Sequence, residues 1–210
     1  MQDKDTKAQI LSVARQILAK DGLDAVSFDA IARRIGYSKQ AVLYWYPNKH
    51  ALLNAMFVPW LSAEADAAEA AVSNATNSDE AIASFVSGMA MFHFDDLNRF
   101  RMMYLLPQTI SAKLKHRSKI TPDDSIHQIT NRLYGALASR LSGDQRGARK
   151  KAVAIHSAVL GVILMFALAD AVGDPLKHSE TDLVDALIGS LTAEQNQTRH
   201  GDTYTKGDVI

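Results

Sequence analysis

Apolar residues recur at three- and four-residue intervals from early in the chain, the spacing of one face of a helix with 3.6 residues per turn. Ile10, Leu11, Ala14, Ile17 and Leu18 predict a first helix from about Thr6 to Lys20, and Gly22 follows as a suitable stop. A second helix begins after Ser27, which can cap it, with Asp29 in the first turn and Ile31, Ala32 and Ile35 inward; Gly36 ends it. Ser38 can cap a third helix. Asn48 can cap a fourth that runs to about Val72, with Pro59 inside it as a source of a kink. The polar stretch that begins at Ser73 predicts a turn. Longer helices follow from about Asp79 to His93, Asp96 to Leu106, Asp123 to Leu141, Gln145 to Val172 and Glu180 to Leu191. Alternation of the strand type is missing, so the predicted fold class is all-α.

The third helix, within "SKQAVLYWYPNK", carries three adjacent aromatics although only one side of it can face a core. With Val42, Trp45 and Tyr46 inward, steps of about 100° per residue send Gln40 and Tyr44 outward and leave Ala41 and Leu43 on the flanks. Gly36 can take positive φ at the turn before it, Tyr37 is apolar enough to plug that turn, and Ala32 is small where the two helices cross. The pattern is a helix-turn-helix. An outward Gln40 can pair bidentately with adenine in a major groove, and Ser38, Lys39 and Lys49 stand at helix starts, where hydroxyls and positive charge suit phosphate. A helical hairpin turning on glycine also occurs in all-α proteins that bind no nucleic acid, and the geometry alone leaves both readings open.

Composition adds bounds. With 47% hydrophobic and 22% charged residues the chain reads as an ordinary globular protein, and the absence of cysteine excludes disulfides, thiolate metal sites and cysteine nucleophiles. The mixed charges of "MQDKDTKAQIL" predict no signal peptide and a cytoplasmic location. The formal net charge of zero conceals a segregation. Residues 1–60 hold eight Lys/Arg and five Asp/Glu, residues 61–98 none and seven, residues 99–155 twelve and three, and the remainder three and eight. Such blocks imply surfaces with different partners.

The first ~60 residues resemble the DNA-binding region of the TetR family of bacterial transcriptional regulators. "ILSVARQILAKDGLDAVSFDAIARRIGYSKQAVLYWYPNKHALLNAM" follows that family's order of helix, Gly, short loop, Ile-Ala, Gly, Ser-Lys, aromatics, Asn-Lys and Ala-Leu-Leu. The resemblance implies a third helix in the major groove, a homodimer on a palindromic stretch of double-stranded operator DNA, and a C-terminal domain whose small-molecule effector releases the DNA. Aligned without gaps through Gly36 and Lys49, Leu43 occupies the place where the family usually carries Tyr, and Tyr44 falls one place later. Phosphate and a thymine methyl are both open to Tyr44. The expected DNA-facing set is Ser27, Ser38, Lys39, Gln40, Ala41, Leu43, Tyr44 and Lys49. The expected domains are a helix-turn-helix domain over 1–52, a helical effector-binding and dimerisation domain over 53–192, and a flexible tail over 193–210.

In the second domain Met89, Phe92, His93, Met102, Met103, Tyr104, Tyr134, Met165 and Phe166 are candidates for an adaptable apolar ligand cavity, though the same residues suit plain core. His93 stands near Asp95 and Asp96, and His127 and His156 fall on neighbouring predicted helices. These spacings match no metal signature, so single satisfied or exposed histidines, and no metal or other cofactor, are expected. The run "AVAIHSAVLGVILMFALA" is long enough to span a membrane, but a helix apolar nearly all round also suits burial by its own domain on one side and a second subunit on the other. Ala154, Ser157, Ala158 and Gly161 form a small-residue stripe for such a dimer, with Leu183, Leu187 and Leu191 of the last helix beside it, while Ile155, Val159, Val162 and Phe166 face the subunit's own core. No Gly-rich phosphate loop, nucleophile elbow or HExxH motif supports an enzyme. A ligand-released repressor is therefore the leading reading, with no catalysis and no membrane; a constitutive DNA-binding protein without an effector and a helical enzyme are the alternatives.

Overall fold

The computed structural model describes residues 2–105 and 124–201, the side chains of 2–4, 124–125 and 194–201 apart. The regular structure among the described residues is helical, with no strand. The helices are α1 (Gln2–Asp21), α2 (Phe28–Ile35), α3 (Lys39–Trp45), α4 (Lys49–Val72), α5 (Ser78–Phe94), α6 (Leu97–Phe100, continued by a π turn Arg101–Leu105), α7 (Asp124–Ala138), α8 (Gln145–Val172) and α9 (Glu180–Gly201). They fall into two compact units divided after Ser62 within α4; the described residues from Asn98 to Leu105 belong with the first unit and those from His127 with the second.

The caps explain the helix starts. Ser27 Oγ accepts from Ala30 N at 3.1 Å, Ser38 Oγ from Ala41 N at 3.2 Å, and Asn48 Oδ1 from Ala51 N at 2.8 Å, each satisfying an amide that has no partner inside its helix. Asn77 does the same for α5 through Glu80 N, and Asp144 for α8 through Gly147 N. Ser179 and Asp182 close α9 reciprocally, at 3.0 and 3.1 Å, as a variant capping box. Gly36 ends α2 at φ 75°, ψ 24°, and the left-handed turn lets Tyr37 N reach Ala32 O at 3.0 Å.

In the first unit, Ile10, Ala14 and Ile17 of α1 pack with Ile31 and Ala32 of α2, Val42 of α3, Tyr46, and Leu52 and Met56 of α4. Met102, from the π turn, packs against the same cluster. Arg15 donates to Met56 O at 3.2 Å and lies over the Trp60 ring at 4.8 Å, joining α1 to α4 by a hydrogen bond and a cation–π contact.

In the second unit, α5 packs against α8 and α9, and α8 against α9. Helix α5 also approaches α4 closely: a Cβ added to Gly88 would lie 2.7 Å from Ala71 Cβ. The acidic and basic blocks meet here. Arg132 forms a bidentate pair with Glu69, at 3.0 and 2.6 Å, and reaches Asp66 at 2.5 Å. Arg140 binds the carbonyls of Ser73 and Ala75 in the turn after α4, at 3.1 and 3.2 Å.

Several boundaries differ from expectation. Helix α1 starts four residues earlier than Thr6, and the helix expected from Asp96 to Leu106 is a short α-helix that widens into a π turn. Helix α9 continues to Gly201, past the Leu191 at which the apolar spacing stops, because polar residues such as Gln195 and Gln197 keep good helix propensity without an apolar face. Leu106, Asp123 and residues 202–210 of the expected tail lie outside the described residues.

Candidate functional site

Helix α3 has two faces. Val42 is 0% exposed and Tyr46, its C-cap, 2%, so these two residues hold the helix onto the core while Trp45 is half-buried. Tyr44 is 79% exposed, and Gln40, Ser38 and Lys39 are exposed with it; Ala41 and Leu43 lie between the faces. The Tyr44 ring stands edge-on to Trp45, centroids 5.2 Å apart, which braces an otherwise solvent-facing aromatic. Tyr37 departs from expectation. It is 46% exposed and does not plug the turn, because the left-handed Gly36 turns the chain outward and Tyr37 is held there by its backbone amide. The outward set thus gains a second tyrosine beside Gln40 and Tyr44.

Three basic residues near this face have partners within the unit. Lys39 Nζ pairs with Asp29 at 2.8 Å, Arg34 with Asp21 at 2.9 Å, and Lys49 Nζ donates to Leu23 O at 3.3 Å. The first two are exposed pairs, weak enough in water to exchange for another anion. Ser27 is exposed at the start of α2.

In the second unit three polar side chains meet inside the core. Glu64 of α4 and His93 of α5 are 0% exposed and His156 of α8 is 2% exposed. Both imidazole Nε2 atoms reach the same carboxylate oxygen, Glu64 Oε1, at 2.9 Å from His93 and 3.1 Å from His156. Burial pushes the Glu64 carboxyl up, but the hydrogen bonds from His156 and His93, with their charge, outweigh it and bring it down to about 2. Aromatic rings enclose the cluster: Phe85 lies 5.9 Å and Tyr134 5.8 Å from the His156 ring, and Phe92 5.0 Å from that of His93. Burial and the Glu64 charge raise the Tyr134 phenol, against the Arg149 guanidinium 5.7 Å over its ring. The expectation of single histidines is therefore corrected for His93 and His156, whereas Asp95, Asp96 and His127 are exposed. Glu64 was missed. Its signal was a charge on a buried stripe with Ala68 and Val72 of the same helix.

The candidate ligand residues separate. Met89 is fully buried core, His93 belongs to the polar cluster with Phe92 and Tyr134 beside it, and Met165 is half-exposed. Met102, Met103 and Tyr104 belong to the first unit, because the π turn that carries them follows Asn98. Phe166 stacks edge-on to Phe94 at 5.2 Å and lines a cleft of about 340 Å³ at the end of α8, with Ala169, Asp170, Pro175, Leu176 and Glu180.

Helix α8 has an inner and an outer face, with Val162 and Phe166 of the expected core side only half-buried. Ile155 and Val159 are buried, while Ala154, Ser157 and Gly161 are exposed, and Met165, Leu168 and Val172 extend that outward stripe. Ala158 is intermediate, as are Leu183, Leu187 and Leu191 of α9. By length and composition alone α8 could cross a membrane.

Residues 10–56 match the sequence profile of "Bacterial regulatory proteins, tetR family". Over 56 residues the chain is 39% identical to the HTH-type transcriptional regulator YdeS, itself uncharacterized, of Bacillus subtilis (strain 168); the match covers 27% of this chain and 28% of that protein. The chain thus spans little more than a quarter of the length of the curated relative it matches. Among solved structures, the candidate regulatory protein SCO4313 superposes with a TM-score of 0.70 at 18% identity, over 90% of this chain and 95% of that one. A tetR-family regulatory protein from Rhodococcus RHA1 gives 0.62 at 19% identity, over 88% and 94%. The transcriptional regulator FadR from Bacillus subtilis, in complex with stearoyl-CoA, gives 0.59 at 18%, over 88% and 96%. At these identities the structural matches establish the fold.

Proposed function

We propose, from the premise that this chain belongs through residues 10–56 to the tetR family of bacterial regulatory proteins, that it is a sequence-specific DNA-binding transcriptional repressor which a small-molecule effector releases from its operator. The observation that carries the reading is the outer face of α3. Gln40 and Tyr44 stand exposed on a capped helix whose opposite face, Val42 and Tyr46, is sealed into the core. A capped helix presenting a bidentate amide and a tyrosine suits a major groove, where the amide pairs with adenine and the tyrosine donates its hydroxyl to phosphate or lays its ring on a thymine methyl. Lys39 can exchange its exposed pair with Asp29 for a phosphate. DNA as the partner places the site of action in the cytoplasm.

The chain acts as a homodimer through the outward stripe of α8, with α9 beside it. A second copy would bury the exposed Met165, Leu168 and Val172, and Gly161 has no atom within 4 Å of an added Cβ, which leaves room for close approach of a symmetry-related helix. This reading removes the apolar stripe from water without a membrane. An effector site in the second unit is supported by the cleft beside Phe166 and by the acyl-CoA held by FadR on a related fold. Effector and DNA then oppose each other through two conformers, and each weakens the other by the same factor.

Selection of bound fragments from sheared genomic DNA by the purified chain tests the central reading. Enrichment of a shared inverted repeat, with half-sites one helical turn or more apart, is expected. Recovery of fragments with no common sequence would refute specific recognition.

A further inference from the structure

We propose that Glu64, His93 and His156 form a binding site for a divalent transition-metal ion of the zinc, nickel and cobalt class. The site is independent of the DNA-binding reading and stands or falls apart from it. Three helices, α4, α5 and α8, each place one ligating side chain at a position otherwise occupied by core. The neighbouring turns on the same faces are Ala68 and Val72, Val86 and Met89, and Ala152 and Val159, all buried. Placing one polar residue on each of three apolar stripes so that all three meet is costly unless the group they form is satisfied.

The geometry suits a metal ion. The carboxylate oxygen and the two imidazole nitrogens all lie within 4.8 Å of one another. In a tetrahedral zinc site with bonds of about 2.0–2.2 Å, neighbouring ligand atoms stand about 3.3 Å apart. Here Nε2 of His93 and of His156 stand 2.9 and 3.1 Å from Glu64 Oε1, so shifts of a few tenths of an ångström would open those two edges. The donor set selects the ion: two imidazoles and one carboxylate suit zinc, nickel or cobalt, whereas magnesium and calcium prefer oxygen ligands throughout. Charge points the same way. A carboxylate with no exposure needs compensating positive charge, and a dication at the oxygen both imidazoles already reach supplies it. Binding needs each imidazole to give up the Nε2 proton it now donates to Glu64 Oε1 and to carry its remaining proton on Nδ1, so that the Nε2 lone pair faces the ion; the displaced proton moves to Nδ1 or is released to solvent, and nothing is oxidised or reduced. Three protein ligands leave a coordination position for water or for an oxygen or nitrogen of a small molecule, the pattern of reactive rather than purely structural sites. The enclosing Phe85, Phe92 and Tyr134 rings would keep bulk water from competing for that position.

The test is titration of the untagged 210-residue chain, freed of metal with a chelator, with Co2+ and then Zn2+. One Co2+ per chain, with the strong visible bands of a low-symmetry four- or five-coordinate ion that Zn2+ bleaches, is expected. X-ray absorption at the cobalt edge of the wild-type chain, which needs no variant, should count two imidazoles. The combined His93→Gln, His156→Gln chain should lose the bands. His156→Cys should keep one Co2+ and add a near-ultraviolet sulfur-to-cobalt band, which a merely structural histidine would not produce. Absence of saturable uptake by the wild-type chain, zero or one imidazole at the cobalt edge, or bands that persist unchanged in the folded double variant would overturn the proposal. Should the variants not fold, the imidazole count in the wild-type chain decides.

Discussion

Val42→Ala and Gln40→Ala lie two residues apart on α3 and should have opposite effects. Val42 is fully buried, and its truncation removes two methyl groups from the core of the first unit. At about 0.8 kcal/mol for each buried carbon the transfer loss is about 1.6 kcal/mol, and the residual cavity raises it to about 2 kcal/mol. In a chain of this size each kcal/mol lowers the melting temperature by about 2–4 °C, so a fall of about 4–8 °C is expected. Gln40 is exposed, and its truncation should change stability by less than about 0.5 kcal/mol. A lost bidentate contact to a base instead costs about 1–3 kcal/mol of discrimination, roughly 5- to 150-fold in affinity at one base pair. Thermal unfolding followed by circular dichroism measures the first effect. Binding isotherms on a selected genomic fragment, and on the same fragment with each base pair changed in turn, measure the second. Gln40→Ala should flatten the preference at one position of each half-site and leave the others intact. The reasoning fails if Gln40→Ala lowers the melting temperature as Val42→Ala does, or leaves every base preference unchanged.

Gly161→Leu meets nothing within 4 Å of its new Cβ inside the chain, so it should leave the subunit folded and convert a dimer to monomers in sedimentation equilibrium; a stable dimer would place the interface elsewhere. Gly88→Ala sets a helix-propensity gain of about 1 kcal/mol against overpacking of about 1–3 kcal/mol on Ala71, and the 2.7 Å approach makes overpacking win. Denaturant unfolding should show the loss, and adding Ala71→Gly should recover part of it as a positive coupling in the double-mutant cycle. Lys49→Ala should weaken binding to all DNA sequences alike and reduce the salt slope by about one, and should also cost about 0.5–1.5 kcal/mol or more of stability through the lost contact to Leu23 O; affinities measured at several salt concentrations separate the two.

Helix positions were legible in the residues because their causes are local. Ser27, Ser38, Asn48 and the Ser179–Asp182 pair cap the helices their spacing marks, and Gly36 takes the left-handed turn that only a residue without Cβ adopts cheaply. The two faces of α3 and of α8 were legible for the same reason: 3.6 residues per turn converts order along the chain into direction around an axis, so Val42 and Tyr44, or Ile155 and Gly161, part without reference to any other segment. Tyr37 was misplaced because its direction depends on how the turn leaves Gly36, which periodicity does not encode. Glu64 was missed as a site because its local signal, a register shared with Ala68 and Val72, does not say that this stripe turns inward; Asp66 and Glu69 of the same segment end exposed on Arg132 while Glu64 enters the core. Its partners lie 29 and 92 positions away, and their meeting depends on how α5 and α8 pack against α4, a property of three surfaces together rather than of any one helix.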